Sequence, residues 1–153
     1  MEIVYKDGNL LNAQTTVIGH QVNCQGVMGS GVAKQIRDKW PLVFSNYQVK
    51  CQSPISPLGD VLIVKVSDNQ YIANIFGQHN YGTDGERYTS YDALDIAFSR
   101  LKYTMVENNF KSLAIPYKMS SDRGGADWDV VLALLTSAFK DTDITIEIWK
   151  YDV

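Results

Sequence analysis

The sequence predicts an α/β fold, a mixed sheet sandwiched between helices. Three observations carry this. Apolar strand segments alternate with helical segments along the chain, two strand segments in its middle are joined by a short polar turn, and two glycine-rich polar loops sit where a strand runs into a helix.

Glu2 to Tyr5 reads as the first strand, followed by the turn Lys6-Asp7-Gly8-Asn9 and by Leu10 and Leu11. Val17 to Val22 is a second strand. Gly31 to Lys39 is a helix that stops before Pro41, because the residue preceding a proline resists helical geometry. Leu42 to Cys51 is another helix, and Ser53 to Gly59, with two prolines, is a loop. Asp60 to Val66 and Tyr71 to Phe76 are strands joined by Ser67-Asp68-Asn69-Gln70, which predicts an antiparallel pair. A long polar loop covers Gly77 to Tyr88. Thr89 or Ser90 caps a helix from Tyr91 to about Asn108, whose Leu94, Ala97, Phe98 and Leu101 form an apolar stripe. Leu113 to Pro116 is a short buried strand. Asp127 to Phe139 is a helix with Val130, Val131, Leu134, Leu135 and Ala138 as its apolar set, and Ile144 to Tyr151 is the last strand.

A chain of 153 residues, 45% hydrophobic and 20% charged, is expected to form one domain over residues 1–153 with a real core. The formal net charge of −3 argues against a binder of nucleic-acid backbone, which usually carries a basic stripe. There is no apolar run of signal-peptide form and no segment long enough to cross a bilayer, so a cytoplasmic location and no membrane partner are expected. Cys24 and Cys51 do not make a metal-ligand spacing, and neither a metal nor a cofactor is expected.

In folds of this class a ligand sits at the carboxyl ends of the strands. The two loops that leave strands there and enter helices are Asn23 to Gly31 and Tyr117 to Gly125. Glycine lets backbone approach a ligand closely, and free N–H groups at a helix start point at an anion without any net positive charge. Two such loops on one edge suggest a ligand with linked phosphates, or a phosphate and a sugar. There is no Gly-x-x-x-x-Gly-Lys-Ser/Thr run, and Gly29-Ser30-Gly31 matches a dinucleotide fingerprint weakly.

Several side chains near these loops can carry chemistry. His20, at the end of the second strand, reads either as a core histidine bonded to backbone or as a general acid or base facing the ligand. Cys24 is a nucleophile only if a base such as His20 reaches it. Asp122 is the carboxylate best placed for catalysis, its plainer role being to cap the following turn. His79 reads either as plain surface or as part of the loop that forms the natural lid, Asp84 and Arg87 read as surface with Arg87 able to reach a phosphate, and Trp149 or Tyr151 can stack on a base.

Four segments together resemble the macrodomains. They are Asp7-Gly8-Asn9-Leu10-Leu11, the run His20-Gln21-Val22-Asn23 through Gly29-Ser30-Gly31-Val32-Ala33, the pair Asn80-Tyr81-Gly82 and Arg87 to Tyr91, and Pro116-Tyr117 followed by Gly124-Gly125-Ala126-Asp127-Trp128. The likeness is greatest to the small stand-alone branch that processes ADP-ribose 1″-phosphate, with the terminal ADP-ribose–glutamate hydrolases also similar. The resemblance implies a three-layer α/β/α macrodomain with a central mixed sheet. It implies a ligand that is ADP-ribose or ADP-ribose 1″-phosphate, and a phosphatase that needs no metal; a monomer is expected. It further implies that Asn9 and Leu10 contact adenine with Trp149 or Tyr151 alongside, that Asn23 bonds the distal ribose, and that Gly29, Ser30, Gly31 and Val32 offer amides to the diphosphate. Pro116, Ser120, Ser121, Arg123, Gly124 and Gly125 would form the closing loop, and His20 and Asp122 would be catalytic. Non-catalytic ADP-ribose binding and release of ADP-ribose from modified macromolecules are the alternatives. The chain departs from the family in its second loop, where Ser120 and Asp122 stand in place of glycines, and it offers no counterpart in Ile75 to Gly82 for the lysine of the glutamate-ester hydrolases.

Overall fold

Six strands form one sheet in the order β1-β6-β5-β2-β4-β3, all parallel except β3, which pairs antiparallel with β4. The structure, a computed structural model, describes residues 1–82, 84–121 and 124–151. The strands are β1 (Glu2–Asp7), β2 (Val17–Val22), β3 (Val61–Ser67), β4 (Gln70–Phe76), β5 (Ser112–Pro116) and β6 (Thr145–Lys150). The helices are α1 (Gly31–Lys39), α2 (Pro41–Cys51), α3 (Tyr91–Glu107) and α4 (Trp128–Phe139), and a single 3₁₀ turn covers Leu10–Asn12.

Strand alternation divides the core in two. Val17, Ala73, Ile75, Leu113, Ile115, Ile146 and Ile148 point to one face and pack against α3 and α4. Their neighbours Ile18, Val22, Ile72, Phe76 and Ala114 point to the other and pack against Ile36 of α1 and Val43 and Tyr47 of α2. The result is three layers, as expected, with an antiparallel hairpin only at β3–β4. Ser90 is the cap of α3, its side chain accepting from the Ala93 amide at 3.1 Å, and the stripe Leu94, Ala97, Phe98 and Leu101 is fully buried. Trp40 stays extended (φ −129°, ψ 80°) and Pro41 starts the next helix, where its missing N–H costs nothing. In α4 the buried residues are Val131, Leu135 and Phe139, while Val130 is turned to solvent. The apolar stripe there is narrower than the sequence suggests, because α4 has α3 on one flank and water on the other.

Parallel strands put their carboxyl ends on one edge. Gly8 donates to Lys150 O at 2.8 Å and Tyr117 to Trp149 O at 2.8 Å, so the ends of β1, β6 and β5 are stitched side by side. Beside them β2 and β4 deliver the loop before α1 and the segment Gly77–Ser90. All the loops singled out in the sequence therefore meet along this edge.

Candidate functional site

The first loop is built from its own side chains. Asn23 Nδ2 donates to Val27 O at 2.9 Å, and Asn23 Oδ1 accepts from the Gln25 amide at 2.9 Å. Tyr47, reaching back from α2, shares its hydroxyl between Asn23 O and Oδ1, each at 2.7 Å. This leaves the following stretch free. The amides of Gly29, Ser30, Gly31 and Val32 donate to no group among the described residues, and the first paired amide is Lys34, to Ser30 O at 3.2 Å. Gly31 opens α1 at φ +60°, a conformation that a side chain would strain. A row of exposed N–H groups at a helix start is an anion cradle.

Facing it is the second loop, Tyr117–Ser121 and Gly124–Asp127. Ser120, which stands in place of a family glycine, holds φ +72°, the left-handed region that favours glycine. Its strain is offset by bonds on both sides: Ser120 Oγ donates to Gln21 Oε1, and Ser120 O accepts from Thr89 Oγ1 at 3.0 Å and from the Ala126 amide at 3.0 Å. Gln21 is the hub. Its Nε2 donates to Gln78 Oε1 and to Thr89 Oγ1, both at 2.8 Å. Tyr88 and Thr89 also donate their amides to Gly124 O at 2.8 and 2.9 Å. A Cβ on Gly124 would fall 2.4 Å from both Ser120 O and Thr89 Oγ1, so this contact admits only glycine. The segment after β4 is thus docked against the second loop. Sequence reasoning passed over Gln21, whose signal was a long amide at a strand end, where it needed partners.

His20 lines the cleft and is almost fully buried. Its Nε2 lies 2.7 Å from Asn74 Oδ1, a side-chain partner where the core reading called for backbone. Asn74 Nδ2 donates in turn to Leu62 O at 3.0 Å. Because the Asn74 amide must present hydrogens to Leu62, its oxygen faces His20, and His20 must carry its proton on Nε2. Nδ1 is then an acceptor, and it is buried with no partner. Burial lowers the imidazole to about 4, against the opposing effect of the Asn74 bond. His20 is therefore neutral at physiological pH and presents Nδ1 as an acceptor.

Cys24 is not paired with His20. It is buried, its thiol donates to Gln78 O at 3.4 Å, and burial pushes it up to about 11, surroundings that disfavour a nucleophilic role. His79 is exposed, and its carbonyl receives the Cys24 amide at 3.0 Å and Gln25 Nε2 at 3.0 Å. Arg87 lies over the Tyr91 ring at 4.4 Å, and Asp84 accepts from the Tyr88 hydroxyl at 2.6 Å, so both are surface residues with local partners. Asp122 and Arg123 lie outside the described residues.

At the other end, Asn9 caps the 3₁₀ turn by accepting from the Leu11 amide at 3.0 Å, and Leu10 is buried beside the half-buried Trp149. Trp149 Nε1 donates to Glu147 Oε1 at 2.9 Å, which fixes its ring, and Tyr151 is 58% exposed. Pro116 stands between these residues and His20. The cleft has two connected parts that share Gln21, Ser30, Ala33 and Gln78. One, of about 180 Å³, is bounded by His20, Gly31–Val32 and Pro116–Ser120, and the other, of about 340 Å³, by Asn23, Val27–Gly29 and Tyr81–Gly82. A larger depression of about 580 Å³ lies beside edge strand β3, where Asp60 already pairs with Lys50 and Arg100. Among the described residues no three His, Cys, Asp or Glu side chains cluster as metal ligands, and no helix is long and apolar enough to cross a membrane.

A mixed sheet whose parallel strands bring to one carboxyl edge a row of free amides, a docked opposing loop and a buried neutral histidine defines a three-layer α/β domain with its cleft at that edge. The chain belongs to the Macro domain family, whose model matches residues 20–135. It is 30% identical over 150 residues to a DNA ADP-ribosyl glycohydrolase of Mycobacterium tuberculosis, a match covering 94% of this chain and 41% of that protein. The chain therefore spans less than half the length of that relative. It is 39% identical over 51 residues to an ADP-ribose 1″-phosphate phosphatase of Neosartorya fischeri, covering 33% of this chain and 26% of that one. The solved macrodomain of Mycobacterium tuberculosis DarG superposes with a TM-score of 0.83 at 28% identity, covering 96% of each chain.

Proposed function

We propose that this chain binds ADP-ribose along the cleft and hydrolyses the bond that joins a further group to C1″ of the distal ribose. The observation that carries this is the unpartnered Nδ1 of His20 in the wall of a cleft lined by free amides. A buried acceptor without a donor is rare, and it suits a ligand hydroxyl or a held water. The diphosphate lies on the amides of Gly29, Ser30, Gly31 and Val32, with Pro116, Ser120, Ser121, Gly124 and Gly125 closing over it and Arg123 assigned to the same loop. Adenine lies at Asn9, Leu10 and Trp149, with Tyr151 at the rim. The distal ribose then reaches Asn23 and His20.

In this reading the neutral His20 orients the attacking water through Nδ1, and Asp122 is the assigned partner for proton transfer. Water oxygen bonds to C1″, the bond from C1″ to the attached group breaks, and that group leaves with the electron pair and takes a proton. The amide cradle contributes by fixing the substrate and screening its charge.

Two sources of the attached group follow from the relatives. The match spanning nearly the whole chain is to a protein named as a DNA ADP-ribosyl glycohydrolase, which favours release of ADP-ribose from DNA. The second reading is the phosphatase, in which water attacks phosphorus and the P–O bond breaks. It is favoured by the short match to a protein of that name. The test is a panel of ADP-ribose 1″-phosphate, ADP-ribosylated single-stranded DNA and an ADP-ribosylated glutamate peptide, scored for free ADP-ribose by chromatography. ADP-ribose from the DNA is the expected result, and ADP-ribose with inorganic phosphate from the first compound alone selects the phosphatase. Tight ADP-ribose binding with no product from any of them identifies a binder, and absence of binding overturns the proposal.

A further inference from the structure

The outer part of the cleft differs chemically from the inner part. None of its described lining residues carries a charge. It presents amide groups from Gln21, Asn23 and Gln78 and an apolar surface from Val22, Val27 and Met28, with Tyr81 at its mouth. Tyr81 is 56% exposed and Val27 is 38% exposed, so two apolar side chains of the same chamber face solvent without a partner. The inner part differs by including Lys118; the free amides border both, those of Gly31 and Val32 the inner part, that of Gly29 the outer part and that of Ser30 the two together.

We propose that this outer chamber is the subsite for the group attached to C1″, and that it takes a neutral planar heterocycle, a nucleic-acid base, stacked on Tyr81. The inference rests on the ADP-ribose reading above, including its orientation. With the diphosphate on Gly29–Val32 and the distal ribose at Asn23, whatever is bonded to C1″ projects past Asn23 toward Val27, Tyr81 and Gly82. A terminal phosphate there would bring close to two negative charges into a chamber with no described cation, a poor match. A base brings a π face for Tyr81 and an apolar edge for Val27, while the side-chain amides of Asn23 and Gln78 are engaged within the loops and hold the chamber's shape. The volume of about 340 Å³ is within the range of small-ligand pockets.

The same observations limit what the rest of the nucleic acid contributes. The chain has a net charge of −3 and none of the described residues lining the chamber is a lysine or arginine, so recognition stops at the modified nucleotide. An ADP-ribosylated nucleoside is then held as well as an ADP-ribosylated oligonucleotide, and added salt changes the two equally, without the steep loss that phosphate-backbone contacts produce.

The experiment compares wild type, Tyr81→Phe and Tyr81→Ala for two ligands under single-turnover conditions, free ADP-ribose by calorimetry and a nucleoside carrying ADP-ribose on a base nitrogen by half-saturating enzyme concentration. The expected result is that Tyr81→Ala leaves ADP-ribose affinity within about 2-fold, raises the half-saturating concentration for the nucleoside conjugate by about 5–100-fold, the effect of losing one base–aromatic stack, and that Tyr81→Phe restores it. Equal effects of Tyr81→Ala on both ligands, or none on the conjugate, overturn the subsite while leaving ADP-ribose binding intact. A wild type that takes ADP-ribose 1″-phosphate more tightly than the nucleoside conjugate overturns it as well. Loss of ADP-ribose binding in the wild type itself overturns the reading beneath it.

Discussion

His20 Nε2 stands 2.7 Å from Asn74 Oδ1 between directly paired residues of β2 and β4, and Asn74 passes its own N–H on to Leu62 O of β3. Three adjacent strands are thus linked by a buried polar chain whose free end is His20 Nδ1. The arrangement fixes both the tautomer and the charge of the one imidazole that lines the cleft.

Asn74→Leu removes the middle of that chain. His20 Nε2–H and Leu62 O are left buried without partners, each at a cost of about 1–3 kcal/mol. Chemical denaturation should report a loss of about 2–5 kcal/mol, and turnover should fall further than ADP-ribose affinity because His20 loses its fixed tautomer.

The pH dependence of stability follows from the same histidine. Its folded pKa of about 4 lies below the ordinary value of 6.5, so the unfolded chain binds the proton first as pH falls. The stability due to neutral His20 is fully present above 6.5 and is lost progressively between 6.5 and 4, by up to roughly 3 kcal/mol. Denaturation midpoints across this window should fall in the wild type and flatten in His20→Gln.

Gly124→Ala puts a methyl group against the Ser120 carbonyl, which cannot swing aside. The expected outcome is a stability loss of about 1–3 kcal/mol from overpacking. ADP-ribose affinity should drop by about 10-fold or more as the second loop shifts from the cradle, measurable by calorimetry.

Cys24 should behave as an inert core thiol. With burial holding it at about 11, fewer than about one in a thousand molecules carry the thiolate at neutral pH. A thiol reagent should label it only after unfolding, and Cys24→Ala should retain release of ADP-ribose from the conjugate.

The sequence made most of the fold legible. Strand alternation located β2 to the residue, Pro41 marked the boundary between α1 and α2, and the Ser90 cap and the Leu94–Leu101 stripe defined α3. The two loops at strand-to-helix junctions were visible because glycine clusters and strand ends are local features. What stayed hidden depends on partners far apart in the chain. Gln21 joins Gln78, Thr89 and Ser120, and His20 joins Asn74. Asn74 did leave a trace as a polar residue amid Ile72, Ala73, Ile75 and Phe76, with the same parity as His20. That clue becomes useful only once β2 and β4 are known to be neighbours. Tyr47 left none, since a tyrosine on a helix reads as core until its hydroxyl is seen at Asn23.

The most direct test of the account is ADP-ribose release from ADP-ribosylated single-stranded DNA by stoichiometric protein, followed by chromatography for wild type and His20→Ala, with ADP-ribose calorimetry on both. The account predicts free ADP-ribose and unmodified DNA with the wild type, and little product with His20→Ala although the ligand still binds. Equal product from both proteins, or a wild type that neither binds ADP-ribose nor releases it, would contradict it.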